Sequence, residues 1–213
     1  MTSEITRTLQ EKFGEAISPD PPFRGEASVT VPRERLSEVA QFLYSLTDRE
    51  FDYLEDICGV DYPGRENRFE AVYHLYSIKG KERVRLRVPL PGDAASLPSV
   101  LEFWKAADWF EREAFDLFGI LFEGHPNLRR ILNHEEFVGH PLRKDYPVRK
   151  RQQLSVPSNF GWGEESEDEA GEEEYTVLNI GPAHPTMHGT LRILAKLQGE
   201  TILEAFPEIG YLH

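Results

Sequence analysis

Cysteine is nearly absent from this chain: Cys58 stands alone among 213 residues. One thiol excludes an internal disulfide and any cysteine-ligated iron–sulfur cluster held within the chain. It also fits a reducing, cytoplasmic setting. Long apolar runs are missing too. The longest, such as residues 117–122, fall far short of the roughly 20 residues that a bilayer-spanning helix needs. Membrane contact is therefore expected only through partners. The opening Met1-Thr2-Ser3-Glu4 lacks the basic and then apolar regions of a secretory signal. Basic charge is scarce: 24 Lys and Arg face 37 Asp and Glu, a net charge of −13. Eight of those acids, and no base, fall within residues 164–174. That run and the lack of a recognisable binding module argue against nucleic acid as a partner.

Hydrophobic residues make up 39% of the chain and aromatics 11%, enough for a substantial core. Ile5, Leu9 and Phe13 recur every four residues behind Ser3, with Gly14 closing, which predicts a first helix. Residues 27–31 alternate as a strand. Pro32 opens a second helix whose buried stripe is Leu36, Val39, Ala40, Leu43 and Leu46. Residues 53–60 and 69–78 read as strands. A Lys79-Gly80-Lys81 turn leads into Val84, Leu86, Val88 and Leu90, alternating with Arg85 and Arg87 as the second arm of a hairpin. Ser99 and Glu102 resemble a capping box opening a third helix. Its inner side is Val100, Leu101, Trp104, Ala107, Phe110 and Ala114. The fold class expected is α+β, helices packed on a mainly antiparallel sheet.

From about residue 120 the periodicity dissolves into proline, glycine and charge. Residues 123–151 hold seven bases against four acids. A basic arm of this kind is expected to lie along a neighbour, and to be disordered when the chain is alone. Residues 151–174 read as a linker, acidic from 164. Residues 175–180, 191–197 and 201–206 then read as three strands, too few to bury a face by themselves.

Three groups of residues invite a chemical reading. Glu111, Arg112, Glu113 and Asp116 cluster at the end of the third helix. Their plainest reading is an Arg112–Asp116 pair on a charged face, or fixed interface contacts, rather than acid/base catalysis. His125, His134 and His140 do not suggest zinc: no cysteine is near, and prolines follow two of them. Gly181-Pro182-Ala183-His184-Pro185-Thr186-Met187-His188-Gly189 carries two histidines four apart. Pro185 and the absence of a Glu after His184 break the zincin pattern. The segment reads instead as a tight loop between strands, able to present a hydrogen-bonding histidine that titrates near neutral pH. No metal site is expected.

The run Glu111-Arg112-Glu113-Ala114-Phe115-Asp116-Leu117-Phe118-Gly119-Ile120 continues through Gly124-His125-Pro126-Asn127-Leu128-Arg129-Arg130-Ile131-Leu132. Together with Gly139-His140-Pro141-Leu142-Arg143-Lys144-Asp145-Tyr146-Pro147 it resembles the C-type subunit of respiratory complex I, the proton-pumping NADH:quinone oxidoreductase. Leu178-Asn179-Ile180-Gly181-Pro182, the His184/His188 loop and Ile209-Gly210-Tyr211-Leu212-His213 resemble the first strands of the D-type subunit. Fused C/D subunits occur in this family. The resemblance implies a C-like domain over residues 1–150 with a docking arm from about 120, a linker over 151–174, and an incomplete D-like β segment over 175–213.

It also implies roles. The C-type subunit is a peripheral-arm scaffold without a redox centre. The D-type subunit is similar to the large subunit of nickel–iron hydrogenases and forms much of the quinone cavity. His188 matches the histidine that approaches the quinone headgroup, and His184 matches its loop support. The family's quinone-contacting tyrosine has no counterpart within these residues, so no self-contained catalytic set is expected. Glu111, Arg112, Glu113, Asp116, His125, Arg129, Arg130, Arg143, Lys144 and Asp145 are expected at subunit interfaces. The implied partners are the rest of the D-type subunit and the subunits carrying the terminal iron–sulfur clusters. Those clusters and FMN lie in other subunits, so no cofactor is expected on this chain alone. The implied location is peripheral, on the cytoplasmic face of a bacterial inner membrane. Two rival readings are a large-subunit piece of a membrane-bound hydrogenase or formate hydrogenlyase, and a non-catalytic assembly scaffold.

Overall fold

The computed structural model describes residues 4–21, 24–92, 95–150, 152, 156, 175–183 and 190–211. They divide into two compact units. The first comprises Met1–Arg129 and Gly139–Pro147, the second Arg130–Val138 and Val148–His213.

In the first unit, helices α1 (Glu4–Phe13), α2 (Leu36–Tyr44) and α3 (Ala107–Phe118) accompany a five-stranded sheet. Its strands are β1 (Ser18–Pro19), β2 (Ala27–Thr30), β3 (Tyr53–Asp61), β4 (Phe69–Ser77) and β5 (Glu82–Leu90), in the order β1-β2-β5-β4-β3. The fold is α+β, as the patterning predicts. The β3–β4 and β4–β5 pairs are antiparallel, whereas β2 lies parallel to β5, with Val29 opposite Leu86. A parallel pair joins segments far apart in sequence and leaves no turn signal to read.

Alternation along β5 sorts its side chains. Val84, Leu86, Val88 and Leu90 enter a core shared with Ile5, Leu9, Leu36, Leu43, Phe51 and Trp104. The Trp104 indole also donates to the Phe51 carbonyl at 2.8 Å. Arg83, Arg85 and Arg87 point to the opposite face, where Glu55, Glu26 and Glu70 pair with them. Arg87 reaches both oxygens of Glu70, at 2.9 and 2.8 Å. This face is closed by charge pairing rather than by a second apolar layer.

Helix α3 begins seven residues later than the Ser99 cap predicts. The reason is that Ser99 is engaged elsewhere. Short strands β6 (Ser96–Pro98) and β7 (Leu121–Glu123) pair in parallel, and the Ser99 N–H donates to the Glu123 carbonyl at 2.9 Å. The carboxylate that answers Ser99 is Glu111, not Glu102. It accepts from the Ser99 hydroxyl at 2.7 Å and from the Val100 N–H at 2.8 Å.

One glycine sets where α3 lies on the sheet. A Cβ on Gly59 of β3 would sit 2.5 Å from the Phe118 ring. Only a hydrogen there lets the end of α3 close on β3.

In the second unit, β8 (Thr176–Ala183), β9 (Leu191–Gln198) and β10 (Thr201–Glu208) form an antiparallel sheet with β9 central. Leu178, Ala195 and Ala205 stand in one row, and Ile180, Ile193 and Pro207 in the next, so they share a face. Leu178, Ile180 and Ile202 are exposed. The other face carries Arg192 and Glu208, both buried and joined at 2.7 Å, with Asn179 accepting from Arg192 Nε at 3.0 Å. Leu194 and Ala195 are the buried apolar side chains among this unit's described residues. That matches the expectation that three strands cannot bury a face alone.

Gly59→Val should cost about 2 kcal/mol, because overpacking forces α3 off β3, and should lower the melting temperature by about 4–8 °C. Thermal unfolding of the purified chain checks this; an unchanged transition would contradict the close approach.

Candidate functional site: the end of the third helix and the segment that caps it

A helix leaves its last four carbonyls without partners inside it. For α3 these belong to Phe115, Asp116, Leu117 and Phe118, and every one of them is answered. The Gly119 N–H donates to Phe115 O at 2.8 Å. His140 Nδ1 lies 2.9 Å from Asp116 O. The Leu142 N–H donates to Leu117 O at 3.1 Å. Arg143 Nε donates to Phe118 O at 2.5 Å, and its Nη2 reaches Gly119 O at 3.5 Å. A carbonyl can only accept, so the proton of His140 sits on Nδ1. A guanidinium at a helix C-terminus also complements the negative end of the dipole.

Gly119 makes this closure possible twice over. Its φ of +73° is the left-handed turn that ends many helices. A Cβ there would also collide with the Arg143 guanidinium and the His140 ring. The two long motifs that the sequence sets apart, around Phe115–Ile120 and Gly139–Pro147, therefore meet side chain to backbone.

The same segment is anchored to the sheet by a second set of charges. Arg68 grips Asp61 with a two-pronged contact, Nε to Oδ1 and Nη2 to Oδ2, both at 2.8 Å. Its Nη1 reaches Asp145 Oδ2 at 2.9 Å, and the Lys144 N–H donates to Asp61 Oδ2 at 2.7 Å. The Arg68 guanidinium, with the Lys144 N–H, holds the enclosed Asp61 carboxyl below its usual range. Arg68 and Arg143 both stack on the Phe69 ring, at 4.9 and 4.8 Å from its centroid. Burial pulls Arg143 below the ordinary guanidinium value.

Further toward the start of α3, the His125 ring is enclosed. Its Nδ1 accepts from the Asn127 N–H at 3.0 Å, so its Nε2 carries the proton facing Asp108 O at 3.2 Å and Asp108 Oδ1 at 3.3 Å. Arg112 Nε donates to the Arg129 carbonyl at 3.1 Å, with its guanidinium over Trp109.

The expected site residues divide sharply by exposure. Glu111, Arg112 and Asp116 are buried, so the face read as charged is largely interior, and Glu113 is its exposed member. Burial lifts the Glu111 carboxyl to about 7, against the hydrogen bonds from Ser99 and Val100 that favour its charge. The fully buried Tyr73 phenol is raised well above its usual value by burial and by the Glu111 charge. Arg130 Nη2 donates to Phe137 O at 2.8 Å, inside the second unit. Lys144, Asp145 and Arg129 are exposed. Arg112, Arg130 and Arg143 thus direct hydrogen bonds to the chain's own carbonyls. The signal that could have revealed this is Gly119 itself: a helix stop followed by basic residues and a backbone rich in turns. His184 and His188 lie outside the described residues.

Glu111 makes a testable pH dependence. The folded chain holds the Glu111 proton more tightly than the unfolded one, whose carboxyl titrates near 4.5. Its contribution to stability is full below that value and is lost as the pH rises through about 7. The loss is ~3 kcal/mol. Urea unfolding from pH 4.5 to 8 should show wild type falling relative to Glu111→Gln by that order. A constant difference between the two would contradict the raised carboxyl.

The family model described as "Respiratory-chain NADH dehydrogenase, 30 Kd subunit" matches residues 29–152. A C/D-type subunit of NADH-quinone oxidoreductase from Bdellovibrio bacteriovorus is 47% identical over 191 residues, covering 89% of this chain and 34% of that protein. The protein of the same name from Methylococcus capsulatus is 36% identical, covering 98% of this chain and 39% of its own length. This chain thus spans little more than a third of the curated relatives it matches. Among solved structures, the trypsin-resistant fragment of Nqo5 is 36% identical with a TM-score of 0.53, covering 59% of this chain and 100% of that one. A chain of an archaeal membrane-bound sulfane sulfur reductase is 26% identical with a TM-score of 0.58, covering 68% of this chain and 85% of that one.

Proposed function

Because the chain belongs to the family of the 30 kDa subunit of respiratory-chain NADH dehydrogenase, we propose that it serves in the peripheral arm of an NADH–quinone oxidoreductase. There it scaffolds the quinone-binding module and lends that module a loop. The observation that carries this reading is one of span. Relatives named as C/D subunits match across 89% and 98% of the chain, through both the C-like unit and the D-like strands. The geometry supports it in two ways. The first unit is a closed body whose helix-end carbonyls are satisfied internally, as a scaffold requires. The second presents an apolar sheet face with Leu178, Ile180 and Ile202 exposed, which the body of a D-type subunit would cover.

The redox chemistry belongs to partners in this reading. A single cysteine cannot supply the four thiolates of a cluster, so iron–sulfur centres and FMN sit in neighbouring subunits. Among the described residues no helix is long and apolar enough to cross a membrane. Attachment to the cytoplasmic face of the inner membrane then runs through those subunits. The exposed members of the expected interface set are Glu113, Arg129, Lys144 and Asp145. The buried Glu111, Arg112 and Asp116 act on the interface only by holding its shape.

Within this reading His188 is the quinone-facing residue and His184 supports its loop. Strands β8 and β9 lie on either side of this segment in the sequence. An imidazole N–H aimed at a quinone carbonyl stabilises the charge that appears there on reduction. Losing such a charge-assisted donor costs about 1.5–3 kcal/mol, a tenfold to hundredfold fall in rate on the order of that energy. His188→Ala in the assembled enzyme should lower quinone reduction by that factor while NADH oxidation by ferricyanide is unchanged, with His184→Ala as neighbour control. Normal quinone reduction by an assembled His188→Ala enzyme would reduce the residue to a loop support.

A further inference from the structure

In the second unit the segment around residue 134 and strand β10 bring His134, Glu136 and Glu208 together. One potential ligand atom from each lies within 4.8 Å of the others. His134 is only 4% exposed, and its Nδ1 meets no hydrogen-bond partner among the described residues. An imidazole nitrogen left bare in the interior is costly. The ring is nevertheless held firmly. Tyr211 stacks on it at 5.5 Å with 20° between the planes, and Phe137 meets it edge-on at 5.7 Å. The ring is thereby fixed. Glu208 is buried as well, and Arg192 Nη1 donates to its Oε2 at 2.7 Å. That contact orients the carboxylate. Glu136 is exposed, which gives an ion a way in.

We propose that His134, Glu136 and Glu208 bind a first-row divalent cation, with Zn²⁺ the best fit to one imidazole nitrogen and two carboxylate oxygens. A tetrahedral ion about 2.1 Å from each ligand needs those atoms about 3.4 Å apart. The required contraction is therefore about 1.4 Å at most. Three protein ligands leave a fourth position for water. The bound ion would pin the bridge between Asn133 and Tyr211. Spacing within the sequence concealed the site, because His134 finds its partners two positions on and on a distant strand, not at His125 or His140.

The other cluster of suitable residues, Asp56, Cys58 and His74, is a poorer host. Arg85 Nε already donates to His74 Nε2 at 2.9 Å, and burial pushes the Cys58 thiol up to about 12. It serves as the internal control.

The test stands apart from quinone chemistry. The full chain, stripped by a chelator and carrying Cys58→Ser, is titrated with Zn²⁺ against a chromophoric chelator, and its melting temperature is followed. One equivalent should bind and raise that temperature. Both His134→Ala and Glu136→Gln should weaken binding by at least about tenfold. Glu136 is exposed, so its variant folds even if loss of the His134 ring disturbs the unit. Absence of a stoichiometric ion on the unmutated triad, or undiminished affinity in both variants, overturns the proposal.

Discussion

The first unit depends on closing the open end of α3. Four carbonyls at the C-terminus of a helix packed on the sheet must be met by something, and Phe118 presses on Gly59 there. The chain answers with one backbone N–H from its own turn, one from Leu142, an imidazole and a guanidinium. Each neutral bond contributes about 1 kcal/mol net, and the charge-assisted one about 2. Leaving any of these acceptors unmet costs a similar amount. This requirement gives the Gly139–Pro147 segment a defined place without a hydrophobic core of its own. Once it is placed, Asp61 and Arg68 fall into register with Lys144 and Asp145.

Glycine is the residue that permits such closures, because they bring backbone against backbone or side chain. Gly119 gives way to the Arg143 and His140 groups, and Gly59 to the Phe118 ring. Gly210, at φ +107°, does the same in the second unit, where a Cβ would run into the backbone of Asn133 and His134. Three glycines thus mark three contacts across long sequence separations. The buried Arg192–Glu208 pair fits the same economy. A charge pair in the interior specifies a geometry more surely than it adds stability, and breaking one partner away is costly.

Much of the fold was legible beforehand where neighbours in sequence are neighbours in space. The β3–β4–β5 meander, α1 and α2 all lie close to the positions that alternation and helical spacing predict. What escaped is what depends on distance. The parallel β2–β5 pair has no local signature. The late start of α3 follows from Glu111 reaching back to Ser99 across a turn. The basic segment seemed coreless because its partners are carbonyls, which no residue pattern records. The site was legible as a set of motifs but not as an arrangement. Arg112 and Asp116, read as a pair on a charged face or as interface contacts, are interior, and His134, weighed with His125 and His140, lies near two carboxylates.

In the proposed scaffold role, a motif segment held by its own helix would carry a preformed docking surface, with Glu113, Lys144 and Asp145 outward, and so would lose less conformational entropy on meeting partners. Amide hydrogen exchange at Leu142 in the isolated chain tests this most directly. Its N–H is committed to the Leu117 carbonyl, so it should exchange at rates comparable to those of α3, and Arg143→Ala should speed it. Exchange at Leu142 as fast as in an unstructured peptide would show that the segment orders only against a partner, and would contradict the account.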